Sequence, residues 1–210
     1  MSVKLVWITP EAESIITYCA RVSNPKNQEA NANPERLIRY LIKHKHWSPF
    51  EMASCCVEIN TTRDISAQIL RHRSFSFQEF SQRYAPVDDS LEIPQWRRQD
   101  LTNRQNSTDD LDLEAIAEVD QLCANAYAEA IIAYRRMLEL GVAKECARKV
   151  LPINSPTRLY MSGTIRSWIH YLSVRTNEDT QLEHRQIAQS IQQLLQQELP
   201  SIFSAINDTD

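Results

Sequence analysis

Glycine is nearly missing from this chain: its 210 residues contain only Gly141 and Gly163. A dinucleotide-binding fingerprint needs three closely spaced glycines and a P-loop needs a glycine-rich turn, so neither can exist here. Any phosphate must be held by side chains or bare helix ends, which raises the value of every arginine cluster. A basic excess is also lacking. Lysine and arginine number 23 against 27 acidic residues, a net charge of −4. Proteins that bind nucleic acid by neutralising phosphates usually carry a basic balance, so an anionic partner should be small and locally held. No apolar run approaches the roughly 18 residues that span a bilayer. Residues 1–11, with one lysine and a short apolar run leading into acids, do not read as a secretory signal. A soluble, cytoplasmic protein without a membrane partner is expected. The five cysteines (Cys19, Cys55, Cys56, Cys123, Cys146) include no CxxC pair and are odd in number, which suggests neither a zinc site nor a disulfide framework. They read as reduced, mostly buried thiols.

What is present is a helical pattern interrupted by few strands. Residues 3–8 read as a strand ended by Pro10, and 11–20 as a helix. Pro34 suits a first helical turn, and Leu37, Ile38, Leu41 and Ile42 recur at helical spacing as far as His44. A strand over 52–61 and a helix over 64–70, with Ile65, Ile69 and Leu70 on one side, follow. Residues 86–110 are polar and aperiodic, a length that often marks a functional loop or lid. The longest helix is expected over 112–140. Ile116, Val119, Cys123, Tyr127, Ala130, Tyr134 and Leu138 form its stripe, and Gly141 is its C-terminal cap. A short helix over 143–149, a strand over 157–162, a helix over 166–172 and a last long helix over 180–198 complete the pattern. That last helix carries Ile187, Ile191, Leu194 and Leu195 on one face. With 42% hydrophobic residues the chain is large enough for its own core. The expectation is α+β: a single domain over 1–210, with a mixed or antiparallel sheet flanked by long helices.

The densest chemical feature is Arg71-His72-Arg73, then seven residues, then Ser81 and Gln82-Arg83-Tyr84. Four arginines (63, 71, 73, 83) fall within 21 residues beside only two acids. Guanidinium forks match phosphate oxygens two at a time and stay charged at all working pH. Gln68, three residues before Arg71, shares its helical face. Weaker readings are available elsewhere. Ser81 lacks an adjacent histidine to activate it as a nucleophile. His44, His46 and His72 lack a Cys or Asp to complete a metal set, so no metal is expected. Cys55-Cys56 lies mid-strand with nothing basic beside it. A rival of another class is a small arginine-rich nucleic-acid-binding module built on the 71–83 region and Trp96-Arg97-Arg98, which the negative net charge disfavours.

The spacing Arg71-His72-Arg73-x7-Ser81 resembles the signature of the flavin-dependent thymidylate synthases. Three further segments are similar to that family's motifs: His46-Trp47-Ser48-Pro49-Phe50-Glu51, the RKVLPIN run from Arg148 to Asn154, and the RSWIHYLSVR run from Arg166 to Arg175. The resemblance extends to about Arg185. It implies reductive methylation of dUMP to dTMP, with FAD as cofactor and with NADPH and 5,10-methylenetetrahydrofolate as co-substrates. It implies FAD contacts from Ser48, Arg71, His72, Arg73, Glu79, Thr164, Arg166 and His170. For dUMP it implies Gln68, Arg71, Glu79, Phe80, Ser81, Gln82, Arg83, Arg148 and Arg175. His46 is expected over the flavin, where the family guards access and binds folate. Arg175 takes the part of the family's activating arginine, which stabilises the anion at N3 of uracil and pushes electron density toward C5. Position 164 is Thr where some members have Asn. Position 179 is Asp where some have a flavin-side His, so Asp179 is left out of the set. In the family the Arg71–Arg83 and Arg148–Arg175 clusters meet across subunits of a homotetramer.

Overall fold

Val3, Leu5 and Ile8 are the inward side chains of the first strand, β1 (Ser2–Ile8), and they break strict alternation. The register against β2 (Ser54–Thr62) shows why: the antiparallel pairing slips between Leu5 and Trp7, so Val6 and Trp7 both face outward and Ile8 returns to the inner face opposite Cys55. In the computed structural model, which describes residues 1–30, 33–87 and 93–208, β1 and β2 lead a four-stranded sheet of order β1-β2-β6-β3. β3 is Ser76–Glu79 and β6 is Pro156–Thr164.

The helices begin where their caps dictate. Asn33 accepts from the Arg36 amide at 3.1 Å ahead of Pro34, starting α3 (Pro34–Lys43), while α1 spans Ala12–Ala20 and α2 Pro25–Ala30. α4 (Arg63–Ile69) follows β2 directly. Asp112 accepts from the Ala115 amide at 2.8 Å to open α5 (Leu113–Glu139). Gly141 closes α5 in the left-handed region at φ 82°, with its own amide on Leu138 and that of Val142 on Met137, the paired bonds of a helix C-cap. α6 (Lys144–Ala147), α7 (Ile165–Arg175) and α8 (Leu182–Glu198) match the sequence pattern. α2 and a ninth helix, α9 (Pro200–Asn207), were not anticipated. Pro200 ends one helix and serves as first-turn residue of the next. Glu13 of α1 caps that turn by accepting from the Ile202 amide at 3.0 Å.

The α+β class is therefore observed. The chain forms two compact units, residues 1–60, 68–78 and 159–210 in one, residues 61–67 and 79–158 in the other. In the first, Ile16, Ile38, Phe50, Ile59, Trp168 and Ile191 are buried, α3 packs on α9, and α8 lies against β1. In the second, the expected stripe of α5 is its least exposed side, yet only Tyr134 is fully buried. Tyr134 accepts the Val87 amide on its hydroxyl at 3.3 Å. Part of the expected 86–110 loop, residues 88–92, lies outside the described residues. The remainder includes a two-residue ladder, β4 (Arg98–Gln99) with β5 (Ser107–Thr108). The turn between them is held by Asp100, whose carboxylate accepts from Thr102, Asn103 and Asn106 and is thereby kept well below the usual range. Among the described residues no helix is long and apolar enough to cross a membrane.

Candidate active site

Two of the four motif segments, 46–51 and 166–175, and the 71–78 part of a third belong to the first unit. His46 is placed by the end of α3, where Lys45 adopts a left-handed φ of 56° and the His46 amide reaches back to the Leu41 carbonyl at 2.8 Å. Its exposed ring lies 5.9 Å from Tyr40 and 6.0 Å from His44. A 3-10 turn over Ser48–Glu51 then exposes Ser48, buries Phe50 and aims Glu51 at Arg166, which it meets at 2.6 Å. Thr164 caps α7 by accepting from the Ser167 amide at 3.2 Å. Ser167 donates its hydroxyl to the Ser74 carbonyl at 3.2 Å, tying the helix start to the Arg71–Arg73 segment. That segment leaves Arg71 and Arg73 exposed, and among the described residues neither forms an ion pair with an acid.

Gly163 explains itself here. A Cβ on it would stand 2.5 Å from Cδ1 and 2.8 Å from Cε1 of Phe75. That ring has little room to retreat, with its centroid 4.7 Å from Trp168 and 5.8 Å from Tyr171. Gly163→Ala is expected to cost about 1–3 kcal/mol through overpacking, read as a lower urea midpoint with unchanged slope.

Arg175, at the C-terminal end of α7, donates from Nε to His72 Nε2 at 2.9 Å, leaving its two terminal nitrogens for other partners. Burial, then the charges of Arg175, His170 and Arg71, hold His72 down to about 4. His184 on α8 is fully buried and is likewise held at about 4 by burial, Arg175 and His72. Its Nε2 lies 3.0 Å from the Tyr171 hydroxyl, whose proton burial retains. Both imidazoles take up a proton near pH 6.5 once unfolded. Their contribution to stability is therefore complete above pH 6.5 and is lost as pH falls toward 4. For buried His184 the loss is on the order of 3 kcal/mol at most, and for half-buried His72 solvent screening makes it smaller. Thermal midpoints between pH 6.5 and 4 should fall less steeply in His184→Leu than in the parent; coincident slopes would refute the depressed protonation of His184.

The remaining segments lie in the second unit. The Glu79 carboxylate accepts from Ser66 at 2.5 Å, Thr157 at 3.1 Å and Arg63 at 2.9 Å. A carboxylate has about four lone-pair sites, so one remains. Phe80 donates its amide to the Arg158 carbonyl at 2.8 Å, and Gln82 is buried. Ser81 accepts on Oγ from the Arg83 amide at 3.4 Å, inside a turn that Tyr84 and Ala85 close on its carbonyl. Arg83 is exposed and 3.4 Å from Glu145 across a cleft of about 270 Å³ lined also by Tyr84, Ala143 and Lys144. Arg148 opens a 3-10 turn and forms no ion pair with an acid among the described residues. The basic run expected of a nucleic-acid module is turned to local partners: Trp96 donates to Asp120 at 2.8 Å, Arg97 to Ser107 at 2.9 Å, and Arg98 pairs with Asp110 at 3.3 Å. Cys55 and Cys56 are both buried and burial raises both thiols, so neither is an activated nucleophile. Cys146 is exposed, unlike the mostly buried set expected. Among the described residues no group of three His, Cys, Asp or Glu side chains is placed to hold a metal.

The family model described as thymidylate synthase complementing protein matches residues 4–201. The chain belongs to this family, the flavin-dependent thymidylate synthases. It is 47% identical over 219 residues to the probable flavin-dependent thymidylate synthase of Paramecium bursaria Chlorella virus 1, with 99% of each chain covered. To the flavin-dependent thymidylate synthase of Synechocystis it is 49% identical over 194 residues, covering 92% of this chain and 89% of that one. Among solved structures it is similar to a UMP/dUMP methylase, PolB from Streptomyces cacaoi, bound with 5-Br dUMP. The TM-score is 0.88 at 26% identity, covering 99% of this chain and 94% of that one. Sequence reasoning overlooked Tyr171 and His184, whose rings lie 4.9 and 6.2 Å from that of His72, and Gln181, which is bonded to Gln68. For His184 a signal was present: it lies three residues before Ile187 and seven before Ile191, on the buried stripe of α8.

Proposed function

We propose that the chain converts dUMP to dTMP in the cytoplasm, with 5,10-methylenetetrahydrofolate as carbon donor and bound FAD, recharged by NADPH, as redox group. The observation that carries this reading is the first-unit cluster: exposed Arg71 and Arg73 beside the Thr164-capped start of α7, with Arg175 on His72 at its far end. These residues fit a dinucleotide's diphosphate in a chain whose two glycines exclude a glycine-rich cradle. FAD supplies the hydride chemistry that protein side chains lack. Arg71 and Arg73, with Ser48, His72, Glu79, Thr164, Arg166 and His170, would hold it. His46 would guard the flavin and receive folate. Gln68, Arg71, Phe80, Ser81, Gln82, Arg83 and Arg148 would hold dUMP, with Glu79 offering its remaining lone pair. Ser81 is a positioning group in this reading, because its hydroxyl meets a backbone amide and no base. Arg175 would stabilise negative charge on the uracil ring. We further propose that the sites are completed in a homotetramer. Leu113, Leu122 and Ile132, exposed on α5, and Leu140 just after it supply apolar surface for self-association.

The test is C5-tritium release from dUMP, and separately from UMP, with FAD, methylenetetrahydrofolate and NADPH. Release from dUMP supports the reading; release from UMP alone, or from neither, sinks it. Arg73→Ala should fold and purify with far less flavin, since a lost charged hydrogen bond is worth about 1.5–3 kcal/mol, roughly 10- to 150-fold in affinity. A variant as yellow as the parent would remove Arg73 from the flavin site.

A further inference from the structure

α3 ends in three neighbouring rings, Tyr40, His44 and His46, all of them exposed. Tyr40 and His44 stand four residues apart, on one helical face. His44 Nδ1 lies 2.9 Å from the Tyr40 carbonyl, which can only accept, so that ring nitrogen carries a proton and the ring is tied to the helix end. Tied this way, the His44 ring stacks on that of Tyr40, with centroids 4.1 Å and planes 31° apart. The chain then reverses. Lys45 is left-handed at φ 56°, and the amides of Lys45 and His46 return to the Ile42 and Leu41 carbonyls at 3.0 and 2.8 Å. The reversal brings the His46 ring edge-on to Tyr40, at 5.9 Å and 76°, and 6.0 Å from His44. These are separations at which ring pairs attract. The backbone thus fixes where the His46 side chain starts, and the two rings are its neighbours. Among the described residues its imidazole makes no hydrogen bond or ion pair.

We propose that Tyr40 is a positioning residue for His46: its ring, itself stacked on His44, keeps the His46 imidazole in the orientation in which it meets folate. This rests on the reading that His46 guards the flavin and receives folate. An exposed imidazole has three staggered χ1 wells and two χ2 orientations, about six arrangements. Without Tyr40 the His46 ring divides among them, and about one encounter in six finds it in place. The Tyr40 hydroxyl has no hydrogen-bond partner among the described residues, so the ring alone acts.

The experiment measures KM for methylenetetrahydrofolate in the FAD-loaded enzyme, beside KM for dUMP and flavin content. Tyr40→Leu is expected to raise KM for methylenetetrahydrofolate about two- to sixfold, within what one aromatic pair contributes. KM for dUMP and flavin content should stay those of the parent. Tyr40 is 51% exposed, so Tyr40→Leu removes no core packing and folds. Tyr40→Phe, which keeps the ring, should keep the parent's KM. In a His46→Ala background Tyr40→Leu should change nothing further, because Tyr40 acts through His46. An unchanged KM in Tyr40→Leu, equal rises in Tyr40→Phe and Tyr40→Leu, or full additivity with His46→Ala would overturn the role of Tyr40 while leaving His46 in the site. An unchanged KM in His46→Ala would remove His46 from the folate site and the inference with it.

Discussion

Arg175→Ala is expected to retain FAD and to lose dTMP formation by about 100- to 1000-fold, the usual cost of removing a group that stabilises developing charge in the transition state. Arg175 is held by its Nε bond to His72 at 2.9 Å, so the guanidinium is pre-aimed and its terminal nitrogens remain for the ring. Oxidation of NADPH by dissolved oxygen, which needs flavin but not the activated uracil, should survive in the variant. Ser81→Ala gives the contrast: it removes a hydroxyl bonded to the Arg83 amide and should slow turnover no more than about tenfold. Measuring both activities in both variants decides the matter. Complete loss in Ser81→Ala with intact dUMP and FAD binding would make the serine a nucleophile and overturn the part given to Arg175.

Trp168→Ala should cost about 3–5 kcal/mol of stability, a large share of the roughly 5–15 kcal/mol that holds a domain folded. Its indole is 1% exposed, donates to the Cys55 carbonyl at 3.3 Å, and stacks edge-on with Phe75 at 4.7 Å and Tyr171 at 5.9 Å. The loss should reach the site, because Phe75 is the side chain that anchors the segment after Arg73. Trp168→Phe keeps most of the volume and loses only the hydrogen bond, and should fall near 1 kcal/mol plus a small cavity contribution. Denaturant unfolding of both variants is the check. A loss below about 1 kcal/mol in Trp168→Ala would mean that the Phe75–Trp168–Tyr171 cluster does not organise this unit.

The sequence by itself determined the elements and their chemistry. Periodicity and caps located α1, α3, α5, α7 and α8, because a helical stripe and a capping side chain act over three or four residues. Ordered motifs identified the family, and the scarcity of glycine assigned phosphate binding to arginines. Only the tertiary structure decided how those residues are spent. The bulge after Leu5 depends on the partner strand, and the need for Gly163 depends on a ring nearly ninety residues earlier. Glu79, named from its motif, is engaged by Arg63, Ser66 and Thr157. Arg175 is bound to His72, and His184 joins Tyr171 to Gln68. Each of these rests on contacts between side chains distant in sequence, and a hydrogen bond's partner and direction depend on where the fold brings donor and acceptor together and on which of the two can only accept.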